Sequence, residues 1–226
     1  MYVVSGEVEN SDNELTGRDR VLGRRQRILD AIRTAAIDEF AEKGLVGAST
    51  QGIAQRAGLT KPQLHYYISS KEELYEDIIV FILDEWEQIF LGATAEQDPA
   101  KVIRQYIRRK LEYSQKNPKA SRLFTTEIAN GAPYLKRHWA KHVAATHNAV
   151  GLIQSWVDQG RIKPVDPLLL QMHIWAVTQH YADFEIQVRS MMELASEEPL
   201  DLERIEKEVS TLFLRACGLE QPDFIR

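Results

Sequence analysis

Four side chains that could hydrogen-bond to DNA lie close together in the segment TKPQLHYY: Lys61, Gln63, His65 and Tyr66. Lys and Gln suit the donors and acceptors of base edges, and His and Tyr suit phosphate oxygens. Leu64 and Ile68 are four residues apart, so they predict a short helix that packs through these two residues and turns the four side chains outward. The predicted chemistry is the reading of a major groove.

The flanking residues predict the elements that would position this short helix. Ser49 or Thr50 caps a preceding helix whose Ile53 and Ala54 face inward, and Gly58 permits a sharp turn. Thr60 caps the short helix, with Gln63 completing a capping box. The pattern is that of a helix-turn-helix DNA reader.

Two further residues are predicted to contact the phosphate backbone. Thr50 lies at the start of the second helix, and Lys71 lies at the start of the fourth, beside the expected path of the DNA. The alternative for the whole segment is a small helical packing unit with a solvated polar face. The charge distribution favours DNA binding, because residues 18–70 carry nine Lys or Arg and five Asp or Glu, in a chain with net charge −5.

The segment resembles the tetracycline-repressor (TetR) family of bacterial transcriptional regulators. The resemblance is carried by Ile53-Ala54, Ala57-Gly58-Leu59-Thr60, Leu64-His65-Tyr66-Tyr67-Ile68 and Ser70-Lys71-Glu72-Glu73-Leu74. His65 departs from the Tyr, and Ile68 from the Phe, that the family usually has. The resemblance implies an all-α homodimer that binds a palindromic double-stranded DNA operator, commonly as a repressor, and responds to a small-molecule effector.

Three later segments resemble the branch of this family that regulates pyrimidine utilisation and senses uracil and thymine: ASRLFTTEIANGAP from 120, GRIKPVDP from 160 and WAVTQHYADF from 175. With them we interpret Trp86, Trp175 and Gln179 as an effector site, in which indole rings stack on a planar base and an amide reads its edge. Arg122 and Glu127 are interpreted as a polar end of the same pocket. The alternative is that the Trp residues belong to the core and that Arg122 and Glu127 make structural hydrogen bonds or ion pairs.

Other chemistry is not predicted. His138, His142 and His147 do not follow a metalloprotease spacing, so we expect no metal, and no catalytic arrangement or cofactor is expected. The chain has no apolar run of about 18 residues and no signal-peptide pattern, and Cys217 is its single cysteine. These features predict a cytoplasmic protein without membrane contact.

Helix punctuation is clear along the chain, since Asp98, Asn117 and Asp166 each precede a proline. We predict an all-α fold of about nine helices over these ranges: 24–43, 50–57, 61–67, 71–92, 99–116, 118–129, 133–159, 167–190 and 200–216. The predicted domains are a disordered acidic arm (1–20), a helix-turn-helix domain (21–70), and a larger helical domain for effector binding and dimerisation (71–226).

The last two helices are predicted to form the dimer, as a four-helix bundle with those of the partner. Their apolar stripes are Leu170, Ile174, Val177 and Tyr181, and Leu202, Ile205, Val209, Leu212 and Ala216. Two alternatives stay open: a regulator of the same fold that senses an unrelated or drug-like molecule, and, more distantly, a helical enzyme.

Overall fold

The computed structural model describes residues 17–88, 93–195 and 197–219. Over these residues the regular structure is helical, as predicted, with ten α-helices and a short 3-10 helix at Lys136–His138. The α-helices are α1 (Gly17–Gly47), α2 (Thr50–Arg56), α3 (Lys61–His65), α4 (Lys71–Gln88), α5 (Pro99–Lys116), α6 (Pro118–Ala129), α7 (Trp139–Asp158), α8 (Pro167–Asp183), α9 (Glu185–Met191) and α10 (Leu202–Ala216). The predicted acidic arm lies mostly outside the described residues, and its end, 17–20, belongs to α1.

The proline-marked helix starts are in the predicted places. Asp98 accepts a hydrogen bond from the Ala100 amide (3.1 Å), and Asp166 accepts from Leu168 (2.9 Å) and Leu169 (3.0 Å). Asn117 is different, because α6 begins after it without a side-chain cap. Its amide nitrogen donates instead to the Tyr113 carbonyl at the end of α5 (3.2 Å).

The predicted helix 167–190 is wrong, because the chain breaks between α8 and α9 at Phe184 (φ −112°, ψ 32°). The physical reason lies in α6. The Arg122 guanidinium donates to the Ala182 carbonyl (3.1 Å), a group that a continuous helix would pair with its own backbone. The predicted helix 133–159 also begins later, at Trp139. Residues 133–135 form a turn whose Tyr134 and Leu135 backbone amides donate to the Glu127 carboxylate, and the 3-10 helix Lys136–His138 follows.

Two hydrophobic clusters make up the core. The first cluster combines the helix-turn-helix residues Phe40, Ile53 and Leu64 with α4 and α6. The second cluster combines α5, α7, α8 and α10 around Ile107 and Trp156. Helix α5 packs along both α8 and α10, and α6 packs against α1 and α8. No helix of the described chain is long and apolar enough to cross a membrane.

The stripes predicted for the dimer are wrong in part, because four of their nine residues are buried inside one chain, whereas Leu212 is exposed. Ile205 and Val209 of α10 are 3% and 4% exposed, within the second cluster. Leu170 and Ile174 of α8 are buried in the same cluster. Heptad-like spacing marks an apolar face, but it does not say whether that face meets another chain or the same chain.

The helix-turn-helix is fixed by a buried carboxylate. Glu39 of α1 is fully buried and accepts hydrogen bonds from Lys43 (2.8 Å), Arg56 on α2 (3.0 Å) and the Ser49 amide (3.3 Å). The hydrogen bond from Lys43 is the largest factor that lowers the pKa of Glu39, and it acts against the effect of burial. The carboxylate therefore sets the position of α2 against α1.

Gly52 is required by this arrangement. A Cβ added at Gly52 would lie 2.7 Å from Cδ of Glu39, whereas one added at Gly151, within α7, would meet nothing within 4 Å. Gly-to-Ala changes inside helices normally stabilise by about 0.5–1 kcal/mol. We expect Gly151→Ala to do so and Gly52→Ala to lower the free energy of unfolding by about 1–3 kcal/mol, as overpacking does. Denaturant unfolding measures both, and equal stabilisation by the two changes would contradict the assignment.

Candidate DNA-binding surface and effector site

The outward face of α3 carries the predicted DNA-reading residues. Leu64 is fully buried, while Lys61, Gln63, His65 and Tyr66 are exposed, as the spacing predicted. The capping box is confirmed. The Gln63 backbone N–H donates to Thr60 Oγ1 (3.4 Å), and the Gln63 side-chain oxygen Oε1 accepts from the Thr60 backbone N–H (2.8 Å). Because the Gln63 oxygen is used in the cap, its Nε2 is the group left to donate to a base edge.

Tyr66 is 82% exposed. Its ring packs edge-to-face on Tyr67, with centroids 5.1 Å apart, and Tyr67 in turn packs against the first cluster. The turn before α3 has Gly58 at φ 68°, and the Leu59 amide donates to the Ala54 carbonyl (2.9 Å). The outward position of Tyr66 is therefore supported from beneath.

Thr50 and Lys71 lie on either side of this surface. Ser49 is the cap of α2, accepting from the Gly52 amide (3.0 Å), so the Thr50 hydroxyl is not used there. The Lys71 ammonium donates to the Ala48 carbonyl (3.0 Å), just before α2. This bond ties the start of α4 to the DNA-reading unit, and any phosphate contact by Lys71 would share the ammonium with it.

Trp86, predicted to be a stacking surface, is already covered within the chain. It is 9% exposed; the Lys110 ammonium lies 4.1 Å from its ring centroid, and the Phe124 ring lies 4.5 Å away at 61°. Its indole nitrogen is buried and has no hydrogen-bond partner. As described, Trp86 offers an unused N–H donor more readily than a free ring face.

Lys110 was not found by the sequence analysis. It is 3% exposed, and within the described chain it makes no hydrogen bond or ion pair. Burial lowers the pKa of its ammonium to about 7, against the opposing effect of the Asp183 carboxylate. The sequence could have predicted the burial of Lys110 from its position. Lys110 lies on the inward face of α5, between Ile107 and Ser114, which are both buried.

Asp183 ends α8 opposite Lys110. Its two carboxylate oxygens accept hydrogen bonds from Ser121 Oγ (2.7 Å) and Thr125 Oγ1 (2.7 Å), one turn apart on α6. We call the set Lys110, Ser121, Thr125 and Asp183 the polar seam. It lies where α5, α6 and α8 meet, between the two hydrophobic clusters, with Trp86 below the ammonium.

Trp175 and Gln179 lie on α8 beside this seam. The Trp175 indole nitrogen donates to the Tyr106 hydroxyl (2.6 Å), one turn before Lys110 on α5. Gln179 is half-buried, one turn after Trp175 and one turn before Asp183. The structure therefore does not pack Trp86 and Trp175 together, since each belongs to a different cluster, but α5 connects them through Lys110 and Tyr106.

Arg122 and Glu127 are both engaged within the chain. Besides Ala182, Arg122 pairs with Glu185 (3.1 Å). Glu127 is 2% exposed and accepts from the Tyr75 hydroxyl (3.3 Å) and from the backbone amides of Tyr134 (2.8 Å) and Leu135 (3.2 Å). These contacts favour the structural alternative for the two residues.

Two of the three histidines considered for metal binding, His138 and His142, pair with carboxylates of α4. His138 lies 2.6 Å from Glu76, His142 contacts Glu87, and Lys141 pairs with Asp84 (2.5 Å). Asp84, Glu87 and His142 each place one potential ligand atom within 4.8 Å of the others. The contacts join α7 to α4, which also carries Trp86 and Lys71.

The fold and the exposed α3 surface define a helix-turn-helix DNA-binding regulator. Residues 32–78 match the family of bacterial regulatory proteins named after TetR, and residues 79–220 match the C-terminal region of YcdC-like proteins. The chain therefore belongs to the TetR family of DNA-binding transcriptional regulators, as the sequence resemblance predicted.

Similar proteins agree with this assignment. The HTH-type transcriptional regulator RutR of Escherichia coli K12 is 39% identical over 180 residues, covering 77% of this chain and 85% of RutR. The repressor SCO4008 of Streptomyces coelicolor is 29% identical over 63% of this chain and 74% of its own length.

Solved structures share the fold. PfmR of Thermus thermophilus, a TetR family regulator, superposes with a TM-score of 0.60 at 25% identity, covering 84% of this chain and 99% of PfmR. AibR in complex with isovaleryl coenzyme A and operator DNA has a TM-score of 0.60 at 19% identity, covering 82% of this chain and 97% of AibR.

Proposed function

We propose that this regulator is a homodimer whose affinity for a palindromic operator is changed by a small planar effector bound at the polar seam. A pyrimidine base, uracil or thymine, is the best candidate. The observation that carries the proposal is the buried, unpaired Lys110 ammonium of α5, which lies over the Trp86 ring. Trp86 belongs to α4, and Lys71 in the first turn of α4 is hydrogen-bonded to the DNA-reading unit. A buried polar group without a partner inside the chain is typical of a ligand site.

The pyrimidine component rests on the resemblance of three segments to the pyrimidine-sensing branch, and on half-buried Gln179 beside the seam. An amide can donate to a ring carbonyl and accept from a ring N–H. The alternative effector is an unrelated small or drug-like molecule. The enzyme alternative has no support from the family to which the chain belongs, and a regulator of bacterial DNA acts in the cytoplasm.

Helix α4 is the proposed link between effector and operator. Trp86 lies near its end, and Lys71 at its start donates to Ala48 beside α2. An effector that displaces Trp86 or Lys110 would alter the position of α4, and with it the separation of the two α3 helices of a dimer. Tenfold weaker operator binding requires only about 1.4 kcal/mol of differential effector affinity.

Operator binding is expected to depend strongly on salt. Lys71 is the predicted phosphate contact, so Lys71→Ala should weaken binding to all sequences and reduce the slope of log affinity against log salt by about 1. Lys101→Ala, which changes an exposed lysine on α5, is the control and should leave the slope unchanged. Fluorescence anisotropy over a salt series measures both; identical slopes for the two variants would rule out a phosphate contact by Lys71.

The dimer is proposed to use the exposed apolar side of α8 and α10. Leu169, Met172 and Leu212 are 48%, 44% and 58% exposed. Leu212 belongs to the stripe first predicted for α10, whereas Ile205 and Val209 of that stripe are buried. Interfaces of stable dimers bury about 800 Å² per partner and are enriched in such residues.

Met172→Glu should split the dimer and weaken operator binding, while changing the free energy of unfolding of the chain by no more than about 0.5 kcal/mol. Val209→Asp, inside the second cluster, should instead unfold the chain. Sedimentation velocity and thermal unfolding distinguish the two. A dimer that survives Met172→Glu would show that the interface lies elsewhere.

The effector is tested by operator release. Uracil or thymine should release the operator from the wild type, and Gln179→Ala should remove this response while operator affinity without effector is unchanged, because Gln179 lies on α8, away from the α3 surface. Gln154→Ala on α7, an exposed amide, is the control. Absence of uracil and thymine binding at millimolar concentration in calorimetry would exclude the pyrimidine and leave the family-level function.

A further inference from the structure

The charges around the polar seam are unequally satisfied. Asp183 has both oxygens hydrogen-bonded by Ser121 and Thr125, and Glu127 is held by one hydroxyl and two backbone amides. Lys110, the cation among them, has no hydrogen-bond acceptor within the described chain. In this interior the carboxylates have hydrogen-bond donors, whereas the Lys110 ammonium lacks a hydrogen-bond acceptor.

Two other buried donors, one on α4 and one on α8, also lack acceptors. The Trp86 indole nitrogen, on the residue that Lys110 covers, has no partner. The Gln171 amide nitrogen, one turn before Trp175 on α8, has none either. Buried donors without acceptors are rare in folded proteins, and oxygen atoms of a ligand could accept hydrogen bonds from these two.

We propose that Lys110 selects among planar rings by charge, so that a ring bearing an oxyanion near neutral pH binds this site more tightly than a neutral ring such as uracil or thymine. This deepens the proposed function and rests on it, because it concerns the same site. The ligand oxyanion accepts from the Lys110 ammonium, which leaves the Trp86 ring, and a second ring oxygen accepts from the Trp86 N–H. A hydrogen bond to a charged group is stronger than a cation–π contact, so an oxyanion can displace the ring from the ammonium.

The cation–π contact explains how the ammonium is held without an effector. The indole ring gives a buried ammonium partial compensation, with a more distant contribution from Asp183. Moving the ammonium from Trp86 to an oxyanion changes the surroundings of the α4 residue that the proposed function connects to the operator. The same contact should therefore give binding an optical signal, as a change in Trp86 fluorescence.

Four probes separate charge from ring type: uracil and barbiturate, which are a neutral and an anionic pyrimidine, and benzamide and benzoate, which are a neutral and an anionic benzene derivative. Calorimetry is done on the full-length wild type, on Lys110→Met and on Lys101→Met. Lys110→Met keeps the aliphatic stem but removes the charge, and it should not destabilise the fold, because replacing a buried unpaired charge by an apolar group is favourable. Thermal unfolding and operator binding without effector check this.

The wild type should bind barbiturate about tenfold or more tightly than uracil. This preference should be lost in Lys110→Met and kept in Lys101→Met. Binding of uracil and barbiturate with equal affinity, unchanged by Lys110→Met, would overturn selection by charge while supporting the pyrimidine. Binding of benzoate as tightly as barbiturate, with loss in Lys110→Met, would support selection by charge and overturn the pyrimidine. If none of the four binds, both are overturned.

Discussion

The proposed coupling between effector and operator depends on the packing of α4. Ile78, Ile79 and Ile82 of α4 are almost completely buried in the same cluster as Leu64 of the DNA-reading helix and Trp86 at the other end of α4. Protein interiors are close-packed, so a displacement at one end of such a cluster is not absorbed locally. The DNA-reading unit therefore cannot keep its position if the Trp86 end of α4 moves.

The interior next to this apolar cluster also contains a buried cation, Lys110. Holding Lys110 inside the chain opposes folding, because the ammonium loses hydration and finds only an aromatic ring and a carboxylate already used by two hydroxyls. An apolar residue at this position on α5 would pack with less cost. Lys110 lowers stability and lies next to α4. Residues that lower stability in this way are typical of functional sites.

Much of the DNA-binding half could be predicted from local sequence. The capping box at Thr60 and the outward residues of α3 depend on neighbours within a few residues, so short-range patterns contain the necessary information. The effector site depends on contacts between residues far apart in the chain. Lys110 reaches Trp86 across 24 positions, and Asp183 reaches Ser121 across 62.

The same distinction explains the errors. The α8–α9 break is imposed by Arg122 from another helix, and nothing in the local sequence around Phe184 requires it. The apolar stripe of α10 was recognised correctly as a face, but its partner is α5 of the same chain. Amphipathic periodicity specifies that a face is covered and leaves open what covers it.

A second physical connection runs from the effector site to the DNA-reading unit through α6. Ser121 and Thr125 hold Asp183 of α8, and Lys119 of α6 pairs with Asp38 (2.8 Å) and Glu42 (3.3 Å) of α1. Glu42 in turn pairs with Arg56 of α2 (2.5 Å).

These side chains are about one-third to two-fifths exposed, and ion pairs of that kind contribute roughly 0–1 kcal/mol. Burying a single isoleucine contributes about 1.5–3 kcal/mol, and α4 buries three in the shared cluster. The α6 contacts are therefore too weak to move α2 on their own, and they act to keep α1 aligned with α6. The larger energies lie along α4, so the proposed effector signal would pass through the packing between Trp86 and Leu64.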